Sequence, residues 1–190
     1  GEEMYELLTM ANQTTEDVFS LLDNLLKWTK SQIGKLKVVY QELNMVEVVE
    51  GVSEIFTMVA GLKNIKIVQD MPVVPVVVRA DIDMLKTVIR NLISNAIKFS
   101  NEGSEVLVSL TEEDGMAIVS VKDSIDEENQ KKLLHTDTHF STFGTNNEEG
   151  SGLGLLLCQD FIVKNGGKLW FTSKKGEGST FSFSVPLLEK

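Results

Sequence analysis

The sequence predicts an α/β (α+β) two-layer sandwich, with helices on a mixed, mostly antiparallel sheet, preceded by one long amphipathic helix. Three observations support this prediction. Apolar residues between Met4 and Trp28 keep a heptad rhythm, which is typical of a long helix. The rest of the chain alternates between helical and strand periodicities, and glycine or proline separates many of these segments. With 190 residues and 42% hydrophobic content, the chain can bury one good core.

The N-terminal helix has an apolar seam whose positions step alternately by three and four residues. Leu8, Leu22 and Leu26 widen this seam toward the face of a helical bundle. A stripe of this length is better matched to another long helix, although packing on its own domain is the alternative. We therefore divide the chain into residues 1–37, the helix plus a linker, and residues 38–190, a folded domain.

The first half of the domain is predicted from periodicity and capping residues. A helix is expected over Met45–Leu62, and strands are expected at residues 65–69 and 76–79, on either side of a segment with two prolines. The next helix covers residues 81–100, with Asp81 as its N-cap. The buried side of the helix Met45–Leu62 is predicted to consist of Val46, Val49, Val52, Ile55, Phe56 and Val59.

The second half of the domain begins with a predicted hairpin. Residues 105–112 and 116–121 alternate as strands do, and Asp114-Gly115 between them is a favourable two-residue turn. Residues 124–150 are polar and have little periodicity, so we predict a long loop of the kind that is usually functional or mobile. The chain then closes with a helix over 155–165, ended by Gly166-Gly167, and with a hairpin of strands at 168–173 and 179–185.

The helix at residues 81–100 carries the first candidate site. Asn91, Asn95 and Lys98 fall within a sector roughly 60° wide, because a helix turns about 100° per residue. Asparagine is a poor helix former, so two asparagines on one face need a reason. A solvated face is one alternative. The other is a ligand site, in which amide oxygens bind a hard cation and the lysine binds phosphate.

A glycine-rich segment forms the second candidate site. Gly150, Gly152 and Gly154 precede the apolar helix that is predicted to begin at Leu155. Glycines before a helix let the backbone approach a ligand closely and leave N–H groups free to bind an anion. Such a loop is weak evidence for an anion site by itself. It gains weight here because it does not stand alone and follows the asparagine helix along the chain.

The ordered motifs resemble the catalytic ATP-binding domain of sensor histidine kinases, within the larger family of gyrase, Hsp90 and MutL ATPases. Residues 91–100 look like the N box, residues 119–123 like the strand that enters the first glycine box, and residues 140–143 like the F box. Residues 150–155 resemble the second glycine box, and residues 176–181 resemble the closing glycine motif. The resemblance runs from about Leu43 to the C-terminus.

The resemblance implies a site for ATP and Mg²⁺ between the helix that carries Asn91–Lys98 and the long loop at residues 124–150, which would act as a lid. Asn95 would hold Mg²⁺ with Asn91 assisting, and Lys98 would neutralise phosphate charge. A nucleotide would also contact Phe99 beside the adenine, Asp123 and Thr180 at the adenine amino group, and Gly150, Gly152, Leu153 and Gly154 of the second glycine box at the phosphates.

The resemblance also implies a reaction and its partners. The domain would donate the γ-phosphoryl group of ATP to a histidine on an upstream helix that this chain lacks, for relay to the receiver domain of a response regulator. The N-terminal helix would be the second helix of the dimerisation and phosphotransfer hairpin, so the parent protein would be a homodimer. His135 and His139 lack the context of a phosphoacceptor. Hydrolytic relatives have a glutamate at the position of Asn91, and an amide cannot act as a general base.

One departure from the family pattern keeps a second interpretation open. Asp123-Ser124 runs directly into Ile125, without the two glycines that follow the aspartate in the family. Either the loop is shortened, which would impair the adenine pocket, or the sequence lacks a segment here that the whole protein carries. A shortened loop would favour a nucleotide-binding pseudokinase or a scaffold module over an active kinase.

Composition narrows the partners and the compartment. The formal net charge of -10 argues against nucleic acid and anionic membranes as partners. Cys158 is the single cysteine, so neither a disulfide framework nor a zinc site is expected, and we predict a small core residue in a reducing compartment. No apolar run reaches the length of a membrane span. The chain begins inside a helical pattern, so we expect a cytoplasmic portion of a longer protein whose membrane anchor, if any, lies elsewhere.

Overall fold

A computed structural model of the protein describes residues 1–123, 153–174 and 178–189, and the predicted fold class is confirmed. The described residues form helices that pack on a mixed five-stranded sheet, preceded by a long helix. The helices are α1 (Glu2–Gln32), α2 (Met45–Leu62), α3 (Ile82–Phe99) and α4 (Leu153–Lys164). The strands are β1 (Gln41–Asn44), β2 (Lys66–Asp70), β3 (Val77–Ala80), β4 (Glu105–Glu113), β5 (Met116–Asp123), β6 (Leu169–Lys174) and β7 (Gly178–Pro186).

The main sheet has the strand order β2-β4-β5-β7-β6, and a small separate sheet pairs β1 with β3. Only β2 and β4 run parallel, and the other neighbours in the main sheet are antiparallel. The apolar residues that alternate along the central strands are buried, as expected when helices cover one face of a sheet, and the serines between them in β7 are buried as well. These buried apolar residues are Val106, Val108 and Leu110 of β4, Ala117, Val119 and Val121 of β5, and Phe181, Phe183 and Val185 of β7.

Most elements confirm the predictions from local signals. Asp81 is the N-cap of α3, and its carboxylate accepts hydrogen bonds from the backbone N–H groups of Asp83 and Met84. Asp114 and Gly115 both have positive φ angles, 49° and 75°, which is the geometry of a tight two-residue hairpin turn. The helix α4 begins at Leu153, two residues before the predicted start.

Two predictions about the first half of the domain were wrong. The strand β1 was missed, because its residues are mostly polar and its pairing with β3 is a long-range contact. The buried face of α2 was misassigned, since Ile55 and Val59 are 63% and 49% exposed. The helix α2 is apolar around most of its circumference, so periodicity alone does not identify the side that faces the sheet. Its buried residues are Met45, Val48, Val49, Val52, Ser53 and Ala60.

Two further observations concern membrane-spanning helices and the cysteine. None of the helices within the described residues is long and apolar enough to cross a membrane. Cys158 is fully buried in the core, as predicted, and burial raises the pKa of its thiol to about 12.

The backbone at Gly167, shortly after α4, lies directly against Ser184 of β7. A Cβ at this position would lie 1.6 Å from the backbone oxygen of Ser184. We expect Gly167→Ala to lower the free energy of unfolding by roughly 3 kcal/mol or more, since the backbone must shift to relieve the overlap. Urea denaturation measures this change. The control is Gly51→Ala, because a Cβ there meets nothing and alanine favours the exposed helix by about 1 kcal/mol. Similar unfolding midpoints for the two variants would contradict this account.

Candidate functional site

The helix α3 is held firmly at its N-terminal end. The second carboxylate oxygen of Asp81 accepts a hydrogen bond of 2.8 Å from the backbone N–H of Val39. The backbone N–H of Asp81 donates in turn to the buried side chain of Asn165, which follows α4. The Asn165 side chain also donates to the carbonyl of Phe161 in α4. The start of α3 and the end of α4 are therefore joined by a buried polar network.

The four predicted site residues of α3 lie on its later turns. Asn91 and Asn95 are half-buried and one helical turn apart. Lys98 is exposed, and its ammonium lies 5.6 Å from the centroid of the neighbouring Phe99 ring, which is half-buried. Asn91 and Asn95 are thus partly exposed, whereas the apolar stripe of the same helix is buried in the core.

Asn91 lies where three helices meet. Its side-chain N–H group donates to the carbonyl of Thr87 at 2.9 Å, which directs its oxygen away from that turn. A Cβ on Gly154 would lie 3.2 Å from this oxygen and 3.6 Å from the side-chain nitrogen of Asn24. The structure therefore brings Asn91 together with Gly154, and only a glycine at position 154 leaves full room for both amides.

Asn24 of α1 is a neighbour that sequence reasoning missed. Its side-chain nitrogen lies 3.5 Å from the oxygen of Asn91, a long contact at the limit of a hydrogen bond. A second polar contact joins Ser31, near the end of α1, to Asp160 of α4, which also pairs with Lys164 at 2.7 Å. Helix α1 carries many other polar residues, so no signal in the sequence singles out Asn24 or Ser31.

Asp123 ends β5 and is almost fully buried, with 4% of its surface exposed. One carboxylate oxygen accepts a hydrogen bond of 3.1 Å from the backbone N–H of Ser179 on β7. Burial raises the pKa of this carboxyl from 3.8 to about 7, and the hydrogen bond from Ser179 opposes the rise. The half-buried Thr180 follows Ser179, so the structure places Thr180 one residue beyond the partner of Asp123.

Contacts between different elements connect some of the predicted site residues in two places, whereas Asn95, Lys98 and Phe99 are related to Asn91 through α3 alone. One set of contacts joins Asn91 to Gly154 and to the start of α4 at Leu153, and the other joins Asp123 to the strand that carries Thr180. Carboxyl groups with strongly shifted pKa values occur preferentially at functional sites, so the raised pKa of Asp123 supports its place in the candidate site. Several predicted features lie outside the described residues: Gly150, Gly152, the F-box-like residues 140–143, His135, His139 and the lid at 124–150.

Comparison with known proteins identifies the family. Residues 80–189 match the family described as histidine kinase-, DNA gyrase B-, and HSP90-like ATPases. The adaptive-response sensory kinase SasA of Crocosphaera subtropica is 33% identical over 171 residues, which are 88% of this chain and 44% of that protein. The chain therefore spans less than half of the length of this relative.

Solved histidine kinase structures have a similar fold. The catalytic domain of ThkA is 28% identical with a TM-score of 0.62, and the match covers 78% of this chain and 95% of that domain. Full-length ShkA in complex with AMPPNP is 21% identical with a TM-score of 0.74, over 99% of this chain and 40% of ShkA. ThkA in complex with a response regulator is 23% identical with a TM-score of 0.68, over 96% and 52% of the two chains. This chain belongs to the family of histidine kinase-, DNA gyrase B- and HSP90-like ATPases, and it contains the ATP-binding catalytic domain found in histidine kinases.

Proposed function

We propose that this chain is the ATP-binding catalytic portion of a sensor histidine kinase and that it binds ATP together with Mg²⁺. The observation that carries the proposal is the close approach of Gly154 to Asn91. The asparagine helix and the glycine-led helix meet there without a side chain from position 154 between them. This arrangement suits a site for magnesium-bound phosphate, because the N–H groups of the first turn of a helix can bind phosphate and an amide oxygen such as that of Asn91 can bind the metal.

The residues present fit a magnesium ion that is bound together with nucleotide. Within residues 1–123, 153–174 and 178–189, no group of three or more His, Cys, Asp or Glu side chains could hold a metal ion. A magnesium ion bound to these residues would therefore depend on oxygens of the nucleotide as further ligands. Magnesium keeps several waters and takes few protein oxygens when phosphates supply the rest. Asn95 would hold the ion, with Asn91 assisting. Bound magnesium would neutralise the charge that develops between the phosphates.

The remaining groups recognise the nucleotide. The carboxyl of Asp123 accepts a hydrogen bond from the adenine amino group, and Thr180 supports this contact from the neighbouring strand. Lys98 provides positive charge for the phosphates, and Phe99 packs beside the adenine. Gly150, Gly152, Leu153 and Gly154 line the phosphates, and the proposal extends to the first two of these from their sequence motif alone.

Transfer to a protein histidine, rather than to water, fits the chemistry of Asn91. An amide cannot remove a proton from water, so this site lacks the general base of the hydrolytic relatives. We propose a histidine on a separate helix of the longer protein as the acceptor and a response regulator as the next partner. The complex of ThkA with a response regulator supports the second assignment by analogy.

The surface of α1 supports a homodimer of the longer protein. Apolar side chains on this helix remain strongly exposed, among them Phe19 at 72% and Leu22 at 59%. A second helical hairpin would remove these side chains from water, as in a four-helix bundle.

Asn24 of α1 lies near the side-chain oxygen of Asn91. Asn91 would therefore have to give up this contact with α1 in order to assist in binding the metal.

Calorimetric titration of this chain with a non-hydrolysable ATP analogue, with and without Mg²⁺, tests the proposal. Binding that strengthens with magnesium, together with negligible steady ATP hydrolysis, is the expected result. Appreciable hydrolysis would favour a gyrase-like ATPase instead. Absence of binding would favour a scaffold module, which the missing glycines after Asp123 already suggest as the alternative. Binding without phosphoryl transfer in the longer protein would identify a pseudokinase.

A further inference from the structure

The C-terminal end of α3 is capped by a side chain from another helix. Lys63, the residue that follows α2, directs its ammonium at three backbone carbonyls of this end. Its Nζ lies 3.0 Å from the carbonyl oxygen of Ile97, 3.0 Å from that of Lys98 and 2.8 Å from that of Ser100. An ammonium has three donors and no acceptor, so these contacts match its hydrogen-bonding capacity.

These contacts meet a specific need of the helix end. The last carbonyls of a helix have no partner within the helix, and they carry the negative end of its macrodipole. At the end of α3 the backbone N–H of Ser100 still bonds the carbonyl of Ala96, and beyond it the chain turns away in extended geometry. The ammonium of Lys63 therefore satisfies the free carbonyls and offsets their negative charge.

The surrounding backbone holds Lys63 in place. The carbonyl of Asn64, the next residue, accepts a hydrogen bond of 3.1 Å from the N–H of Gly103. The N–H of Lys66 donates to the carbonyl of Ser104 at 3.1 Å. Backbone hydrogen bonds therefore join the α2–β2 junction to the segment that follows α3, and they hold the backbone next to Lys63 in place.

We propose that Lys63 is a positioning residue for the nucleotide site. By tying down the last turn of α3, it holds Lys98 and Phe99 in the orientation that nucleotide binding needs. It also offsets the negative end of the α3 macrodipole next to Lys98. The inference rests on the proposed function, since Lys98 and Phe99 act on nucleotide only there.

The test compares Lys63→Met, Lys63→Arg and Lys66→Met by calorimetry with Mg²⁺ and AMPPNP, well below the unfolding temperature of each variant. Lys66→Met is the matched control, because Lys66 is an exposed lysine nearby that pairs only loosely with Glu105, at 3.6 Å. We expect Lys63→Met to weaken binding by roughly tenfold, since small misplacements of contact groups are costly. Lys63→Arg keeps the donors and should restore most of the affinity, and Lys66→Met should bind as the original chain does.

Amide NMR shifts of the nucleotide-free protein provide a second readout. Lys63→Met should move the signals of residues 97–100, whereas Lys66→Met should leave them in place. Unaltered affinity in Lys63→Met, even with a lowered unfolding temperature, would overturn the inference and leave a cap that serves stability alone. Equal weakening in Lys63→Arg and Lys63→Met would also overturn it. Failure of the original chain to bind AMPPNP would refute the proposed function itself, which distinguishes the two failures.

Discussion

Replacing Asn95 by alanine is expected to remove the magnesium dependence of nucleotide binding and to weaken Mg-AMPPNP binding by about 100-fold, because the metal loses its main protein ligand. Alanine favours a helix interior more than asparagine does, so α3 should remain folded. The measurement is calorimetric titration with AMPPNP at fixed ionic strength, with Mg²⁺ and with EDTA.

Two further variants sharpen the test of Asn95. Asn95→Asp keeps a hard oxygen ligand and should retain magnesium dependence, whereas alanine should not. Asn12→Ala is the matched control, because Asn12 is an exposed asparagine in the helix α1. If Asn95→Ala bound Mg-AMPPNP as tightly as the control, Asn95 would not be the metal ligand, and Asn91 would become the candidate.

Replacing Asp123 by asparagine is expected to weaken adenine nucleotide binding by roughly 100-fold, because two hydrogen-bond donors would then face each other. The amide oxygen can still accept the hydrogen bond from the N–H of Ser179, so the remaining side-chain atom is an NH₂ group. That group would meet the adenine amino group, which is also a donor. Titration with ADP and AMPPNP measures the loss.

The same variant should gain stability above neutral pH. Burial raises the pKa of Asp123 from its ordinary 3.8 to about 7, so between these values the folded protein holds a proton that the unfolded chain releases. Stability from this group is therefore lost as pH rises through this window. Asparagine cannot ionise, so Asp123→Asn should be more stable at high pH by up to about 4 kcal/mol and similar to the original chain at low pH.

Together, the two readouts for Asp123 separate recognition from folding. A variant that is more stable at pH 8 and yet fails to bind nucleotide shows that the carboxyl serves the ligand. Asp114→Asn in the exposed hairpin turn is the control, and it should change neither property, since asparagine adopts positive φ readily. Undiminished binding by Asp123→Asn would refute the assignment of Asp123 to adenine recognition.

Local signals in the sequence were sufficient for the elements that position the site. The N-cap Asp81 and the apolar stripe of α3 defined that helix to within one residue at each end. Asp114-Gly115 predicted the hairpin whose second strand ends at Asp123. These signals act within a few residues, because caps, turns and side-chain periodicity depend on backbone geometry that the neighbouring residues determine.

The order and type of most elements, the family resemblance and the candidate site residues could all be proposed from the amino-acid sequence. Three features required the folded structure: the buried side of α2, the approach of Asn24 to Asn91, and the capping of α3 by Lys63. The raised pKa of Asp123 likewise depends on its burial beside β7. Each of these features joins residues that are far apart in the chain or depends on exclusion of water, and neither property is encoded in local periodicity.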